Sequence, residues 1–179
     1  MTRDEEIDYA KQHNIPLSLS SNKTYSTDEN LWGRSIEAGD LEDPWLEPPE
    51  AAFSWTNPIE KTPDEPLYLE ISFEEGIPVA IDHQRMDGMS LIEKISSFAG
   101  EHGIGRIDHL EDRLVGIKSR EVYETPAAIC LIEAHSDLEK MVHTKHETKF
   151  KTLVDDEWAW LVYSGLWDDP LRKELDKFI

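Results

Sequence analysis

The densest concentration of reactive side chains lies in GRIDHLEDRLVGIKSREVYETP, residues 105–126. It brings four cations, Arg106, Arg113, Lys118 and Arg120, into an otherwise acidic chain. Glu111 and Tyr123 stand twelve residues apart. If the chain doubles back between them, a carboxylate and a phenol line one cleft. The same residues also read as ordinary surface ion pairing, which is worth little to stability. A second pair lies in YSTDENLWGRSIEAG, where Ser35 follows Ser26 by nine residues. Ser26-Thr27-Asp28-Glu29 matches the S-x-x-E capping box and predicts a helix start. On one continuous helix nine residues turn the chain by about 900°, which puts the two hydroxyls on opposite faces.

Other patterns carry less. His143-x-x-His146 has helical metal-ligand spacing, but no third ligand stands out. Gly103-Ile104-Gly105 lacks the third glycine and the strand-before, helix-after setting of a dinucleotide loop, and reads as a helix stop. Neither G-x-x-x-x-G-K-[ST] nor G-x-S-x-G occurs.

The chain has 179 residues, enough for one domain with a sizeable core. Its net charge of −20 argues against nucleic-acid binding and against an anionic membrane surface. No apolar run reaches the roughly 18 residues of a membrane span. The lone Cys130, in the apolar run AAICLIEA, reads as a buried free thiol. These features suit the cytoplasm.

The elements that must position these residues are legible in outline. Thr2-Arg3-Asp4-Glu5 predicts a capped helix reaching about His13, stopped by Asn14 and Pro16. Residues 40–66, rich in Pro, Asp and Glu, read as a long irregular connection pinned to the core by Trp45, Phe53 and Trp55. Leu67, Leu69, Ile71 and Phe73 alternate along a strand; Glu74-Glu75-Gly76 turns, and IPVAI returns as a hairpin. Ser90 with Glu93 forms another capping box, opening an amphipathic helix that ends near Gly103. RIDHL and RLVGIKS read as extended segments. From about Thr125 the pattern is helical: PAAICLIEAHSDLEKMV, a long segment to about Tyr163, then PLRKELDKF. Clustered hairpins and helices predict an α+β domain, with a mixed, largely antiparallel sheet packed with helices and a helical C-terminal part.

The blocks YSTDENLWGRSIEAG, HGIGRIDHLEDRLVGIKSREVYETP and LVYSGLWDDPLRKELDKFI, with the opening EEIDYAKQHNIPL, resemble argininosuccinate synthase in order and spacing. The resemblance covers essentially the whole of residues 1–179, but only the C-terminal, citrulline-binding and oligomerisation domain of that family. The family's S-G-G-x-D-[ST]-S pyrophosphate loop is absent, and the chain stops short of the family's C-terminal tail.

The resemblance implies a ligase of arginine biosynthesis that joins citrulline and aspartate while converting ATP, with Mg2+, to AMP and pyrophosphate. It implies a homotetramer. Carried over residue by residue, the citrulline contacts fall on Ser26, Ser35, Glu111 and Tyr123. Glu111 suits the α-ammonium, and the three hydroxyls suit the remaining polar groups. No catalytic, cofactor-binding or metal residue is carried over. The chain alone is expected to bind neither ATP nor Mg2+ and to be inactive. A non-catalytic binding or oligomerisation module is the competing reading. Some family members have Gly where Glu121 stands; a position needing φ > 0 would strain a glutamate there. If Ser26 and Ser35 touch one citrulline, the prediction is a short helical turn over residues 28–31, a break around Gly33 and an extended run through Ser35.

Overall fold

The computed structural model describes residues 3–16 and 25–179. Helix α1 spans Arg3–Gln12 and ends before Asn14, whose φ of 53° is left-handed. Its expected cap, Thr2, lies outside the described residues.

Seven strands form two antiparallel sheets among the described residues, as an α+β fold requires. The first contains β1 (Ser26–Glu29), β2 (Arg34–Glu37), β6 (Arg106–Asp112) and β7 (Lys118–Glu124), in the order β1-β2-β7-β6. The second contains β3 (Ile71–Glu74), β4 (Ile77–Ile81) and β5 (Gln84–Arg85). Two tight turns build that second sheet. Glu75-Gly76 and Asp82-His83 have positive φ at both central positions, the geometry that matches strand twist in two-residue hairpins. The ladder begins only at Ile71, so the alternating residues before it are not paired strand, and Leu67 is exposed.

Residues 26–29, expected to begin a helix, are strand instead. The Asn30 side chain accepts from the backbone N–H of Trp32 (2.8 Å) and Gly33 (3.3 Å), and Asn30 N–H donates to Gly33 O (2.9 Å). This Asx turn reverses the chain at once, and β2 then pairs with β7. The tertiary pairing overrides the local capping pattern. Gly33 marks the expected break, because a Cβ there would lie 2.9 Å from Glu124 O.

Helix α2 (Gly88–Glu101) starts earlier than its sequence pattern suggests. Asp87, not Ser90, is the cap: its carboxylate accepts from Ser90 N–H at 3.0 Å and Ser90 Oγ at 2.7 Å. Gly103, at φ +71°, follows its end as the helix stop. Helices α3 (Pro126–Val142), α4 (Lys145–Tyr163) and α5 (Pro170–Leu175) follow the sequence expectation. Thr144 and Glu147 form a reciprocal capping box at the start of α4. His143 is the C-cap of α3 and His146 lies in α4, so this pair does not share a helix.

Two cores follow from the two sheets. Ile81, Leu91, Ile95, Ala127 and Leu131 join β4 to α2 and α3. Cys130 packs against this cluster but is half-buried rather than enclosed. Ile36, Leu41, Ala52 and Val122 pack beneath the first sheet, joined by Phe53. Residues 40–66 are irregular except for 3-10 turns at Gly39–Glu42, Glu50–Ala52 and Ile59–Lys61. Phe53 pins this segment, but Trp45 does not: it is 93% exposed.

Polar anchors replace the missing hydrophobic one. Glu124 is fully buried and accepts from the N–H groups of Ser54, Trp55 and Thr56, from Thr56 Oγ1 (2.8 Å) and from Arg34 Nη1 (2.7 Å). Arg120 donates to the carbonyls of Asp43 (2.7 Å) and Leu46 (2.8 Å). Arg106 pairs with Glu50 (2.6 Å) and lies 3.9 Å over the Phe53 ring.

Candidate functional site

Strand alternation and register decide which residues share a face. Ser26 pairs with Glu37, Asp28 with Ser35, Ser35 with Tyr123, and Glu111 with Ser119. Paired residues point to the same side, and so do residues two apart in a strand. Ser26, Ser35, Tyr123 and Glu111 therefore all stand on one face of the first sheet. Arg34, Ile36, Val122, Glu124, Arg106 and Arg120 stand on the other, where they build the core and hold residues 40–56.

This arrangement sorts the basic cluster. Arg106 and Arg120 are structural anchors on the back face. Lys118 pairs with Asp112 at the exposed end of the β6–β7 hairpin. Arg113 turns toward the site face. It pairs with Glu121 at 2.5 Å and approaches Glu37 at 3.6 Å, and its Nε donates to Ser119 Oγ at 2.7 Å. The ion pair with Glu121 raises the Arg113 pKa further. Glu121 is buried in an ordinary strand, so it carries no strain of a left-handed residue.

The chain doubles back between Glu111 and Tyr123, as their joint use requires. The Tyr123 hydroxyl donates to Glu111 Oε1 at 2.5 Å. Tyr163, from the last turn of α4, donates to Glu111 Oε2 at 3.2 Å. His109 Nε2 lies 3.4 Å from Oε1, and its ring meets Tyr123 edge-on at 5.6 Å. The Tyr123 hydrogen bond, assisted by His109 and Tyr163, holds the Glu111 carboxyl below the usual carboxylate range despite partial burial. Burial, then the Glu111 charge, pushes the Tyr123 phenol up, so it remains a donor at neutral pH.

Ser35 Oγ makes one long bond to Asp28 O (3.4 Å), and Ser26 is exposed on the outer strand, its hydroxyl without a hydrogen-bond partner among the described residues. An open pocket of about 330 Å3 adjoins Ser35 and Tyr123, walled by Asp28, Trp32, Thr125 and Ala128. A larger pocket, of about 550 Å3, lies against α3 and α4. Its ionic groups are already matched, Lys151 with Glu139 (3.1 Å) and with Asp155 (2.8 Å).

The arrangement can bind a small cation-bearing molecule. Glu111 offers an ionised carboxylate, and the serine and tyrosine hydroxyls offer neutral donors and acceptors nearby. Among the described residues no group of three His, Cys, Asp or Glu side chains is arranged to hold a metal ion. The face is acidic, with Glu37, Glu111 and Glu121 around Arg113, and does not suit nucleotide phosphates. Reading the sequence alone missed His109 and Tyr163, and singled out Arg113 only as one cation of the basic cluster. Tyr163 is 52 residues from Glu111, and no local pattern joins them. No described helix is long and apolar enough to cross a membrane.

The model of the arginosuccinate synthase C-terminal domain matches residues 25–179. Across all 179 residues the chain is 59% identical to an argininosuccinate synthase of Pyrococcus furiosus, covering 43% of that protein. It is 52% identical to one from Dehalococcoides mccartyi over the same span, covering 44%. Over 178 residues it is 53% identical to one from Bacillus pumilus, again covering 44%. The chain therefore spans less than half the length of these relatives. With the C-terminal domain matched over residues 25–179 and the Pyrococcus furiosus relative matched along the whole of this chain, the chain belongs to the argininosuccinate synthase family.

Proposed function

We propose that this chain supplies the citrulline-contacting surface of an argininosuccinate synthase, a ligase that joins citrulline to aspartate at the expense of ATP. What supports the reading is that Ser26, Ser35, Glu111 and Tyr123 share one sheet face, with a partly accessible, ionised Glu111 among hydroxyls. Citrulline carries an α-ammonium, an α-carboxylate and a neutral ureido tail. Glu111 receives the ammonium through charge-assisted hydrogen bonds, and the serine hydroxyls take the other polar groups. The face holds the substrate still and supplies no acid–base step, so its contribution is positioning.

ATP and Mg2+ belong to a part of the enzyme outside these residues. The sequence contains neither G-x-x-x-x-G-K-[ST] nor S-G-G-x-D-[ST]-S, and the site face is lined by carboxylates. The 179 residues alone are thus inactive in ligation. Pyrophosphate release from this chain with ATP, citrulline and aspartate would refute that. Self-association covers the apolar side chains left exposed on its helices, among them Ile132, Met141 and Leu153. Sedimentation velocity showing only monomers of the full-length enzyme would reject this.

The decisive test of the site is Glu111→Ala in a full-length synthase carrying these residues. Losing a charge-assisted contact raises the citrulline KM by about tenfold or more. An unchanged citrulline KM refutes the assignment.

A further inference from the structure

The last turn of α4 brings a group to the site that no strand supplies. The Tyr163 hydroxyl meets Glu111 Oε2 at 3.2 Å while Tyr123 holds Oε1. The placement is determined by how α4 ends. Gly165 has φ +74°, its N–H donates to Val162 O (3.0 Å), and Leu166 N–H reaches back to Leu161 O (2.9 Å). Val154 and Leu161 are buried and fix the helix against the body of the protein. The Trp160 ring stands tilted beside Tyr163 at 5.9 Å. Desolvation and the Glu111 charge raise the phenol's pKa, which keeps it a donor.

A carboxylate offers about four lone-pair positions. Tyr123 and Tyr163 each occupy one, on different oxygens, and His109 approaches one of those oxygens from the side. Positions remain on the carboxylate for an incoming ammonium. Without Tyr163, Oε2 has no partner among the described residues, and the terminal torsion of a glutamate is broad.

We propose that Tyr163 is a positioning residue for Glu111. Together with Tyr123 it locks the carboxylate plane, so that its remaining lone pairs face the substrate ammonium. This makes α4 a part of the binding site. The proposal rests on the citrulline reading above.

The test compares Tyr163→Phe with wild type in the full-length synthase. The citrulline KM rises about threefold to tenfold, the effect of losing one hydrogen bond to a charged group. The kcat and the KM values for ATP and aspartate stay unchanged. In a Glu111→Gln background Tyr163→Phe adds nothing further, because no carboxylate–ammonium contact is left for Tyr163 to position. By carbon-13 NMR the Glu111 carboxyl titrates at higher pH in Tyr163→Phe than in wild type. An equal rise in citrulline KM in both backgrounds overturns the proposal. So does an unchanged citrulline KM in Tyr163→Phe where Glu111→Gln raises it, or an unshifted Glu111 titration. If Glu111→Gln itself leaves the citrulline KM unchanged, the citrulline reading fails and the binding role of Tyr163 fails with it, whatever the titration shows.

Discussion

Replacing Glu124 by alanine tests whether the irregular segment behind the site is held by polar anchors. Glu124 is fully buried and bonds to three consecutive backbone N–H groups, the Thr56 hydroxyl and the Arg34 guanidinium. Breaking a buried charge pair by removing one partner costs about 3–5 kcal/mol. Arg34 keeps the carbonyl of Ala52 at 2.9 Å and is slightly exposed, which argues for the lower end. Thr56 is buried, and its orphaned N–H adds about 1–3 kcal/mol. The N–H groups of Ser54 and Trp55 lie nearer the surface, where water substitutes.

The expected loss is therefore about 4 kcal/mol, a large share of the roughly 5–15 kcal/mol that stabilises a domain. Glu124→Gln keeps one acceptor oxygen but turns an amide N–H2 toward a donor, and costs about half as much. The double variant Arg34→Met with Glu124→Leu discriminates further. An ordinary buried ion pair replaced by apolar residues is often neutral. Here the loss persists, because the carboxylate's main partners are backbone N–H groups. Urea unfolding followed by tryptophan fluorescence reads all three. Full recovery in the double variant, or a loss in Glu124→Ala within about 1 kcal/mol of zero, would refute the anchoring argument.

The hairpin turn gives a second prediction: Asn30→Ala removes the acceptor for two N–H groups and lowers stability by about 1 kcal/mol, read as a shift in unfolding midpoint. Asp87→Ala deletes the cap of α2 and costs about 1 kcal/mol in the same assay. The pH dependence follows from Glu111, whose folded pKa lies below that of an unfolded glutamate, near 4.3. Its stabilisation is present above that value and is lost as pH falls through the lower folded pKa. Citrulline binding should therefore persist below pH 4.3 as far as the fold survives, and Tyr123→Phe should move its acid limb upward, as isothermal titration at several pH values would show.

Gly33→Ala drives a Cβ against the Glu124 carbonyl at 2.9 Å and the Thr125 side chain, parting β2 from the end of β7. It should raise the citrulline KM and lower the unfolding midpoint together; a change in neither would show that the strands tolerate separation.

Much of this protein was legible without coordinates. The three C-terminal helices follow the helical pattern read from residue 125 onward, with Pro126 as a start signal that acts within one turn. The family blocks carry the four residues proposed to contact citrulline, because a motif keeps residue types at fixed spacing whatever the local conformation. Ser26-Thr27-Asp28-Glu29 was misleading for a physical reason. Its S-x-x-E pattern favours a helix start, but the Asn30 turn and the pairing of β2 with β7 impose a strand. That strand answers the geometry of the two serines: nine residues apart, they would oppose each other on a helix, yet a four-residue loop returns them to one face.

What only the tertiary structure decided are contacts between residues far apart in the chain. Trp45 looked like an anchor and is exposed, while Glu124 and Arg120 do the anchoring from 68 to 79 residues away. Tyr163 reaches Glu111 across 52 residues through the docking of α4. Composition, caps and motif spacing are local and so are written in the sequence. Which hydroxyl meets which carboxylate depends on how sheet and helices pack, and packing is settled by the chain as a whole.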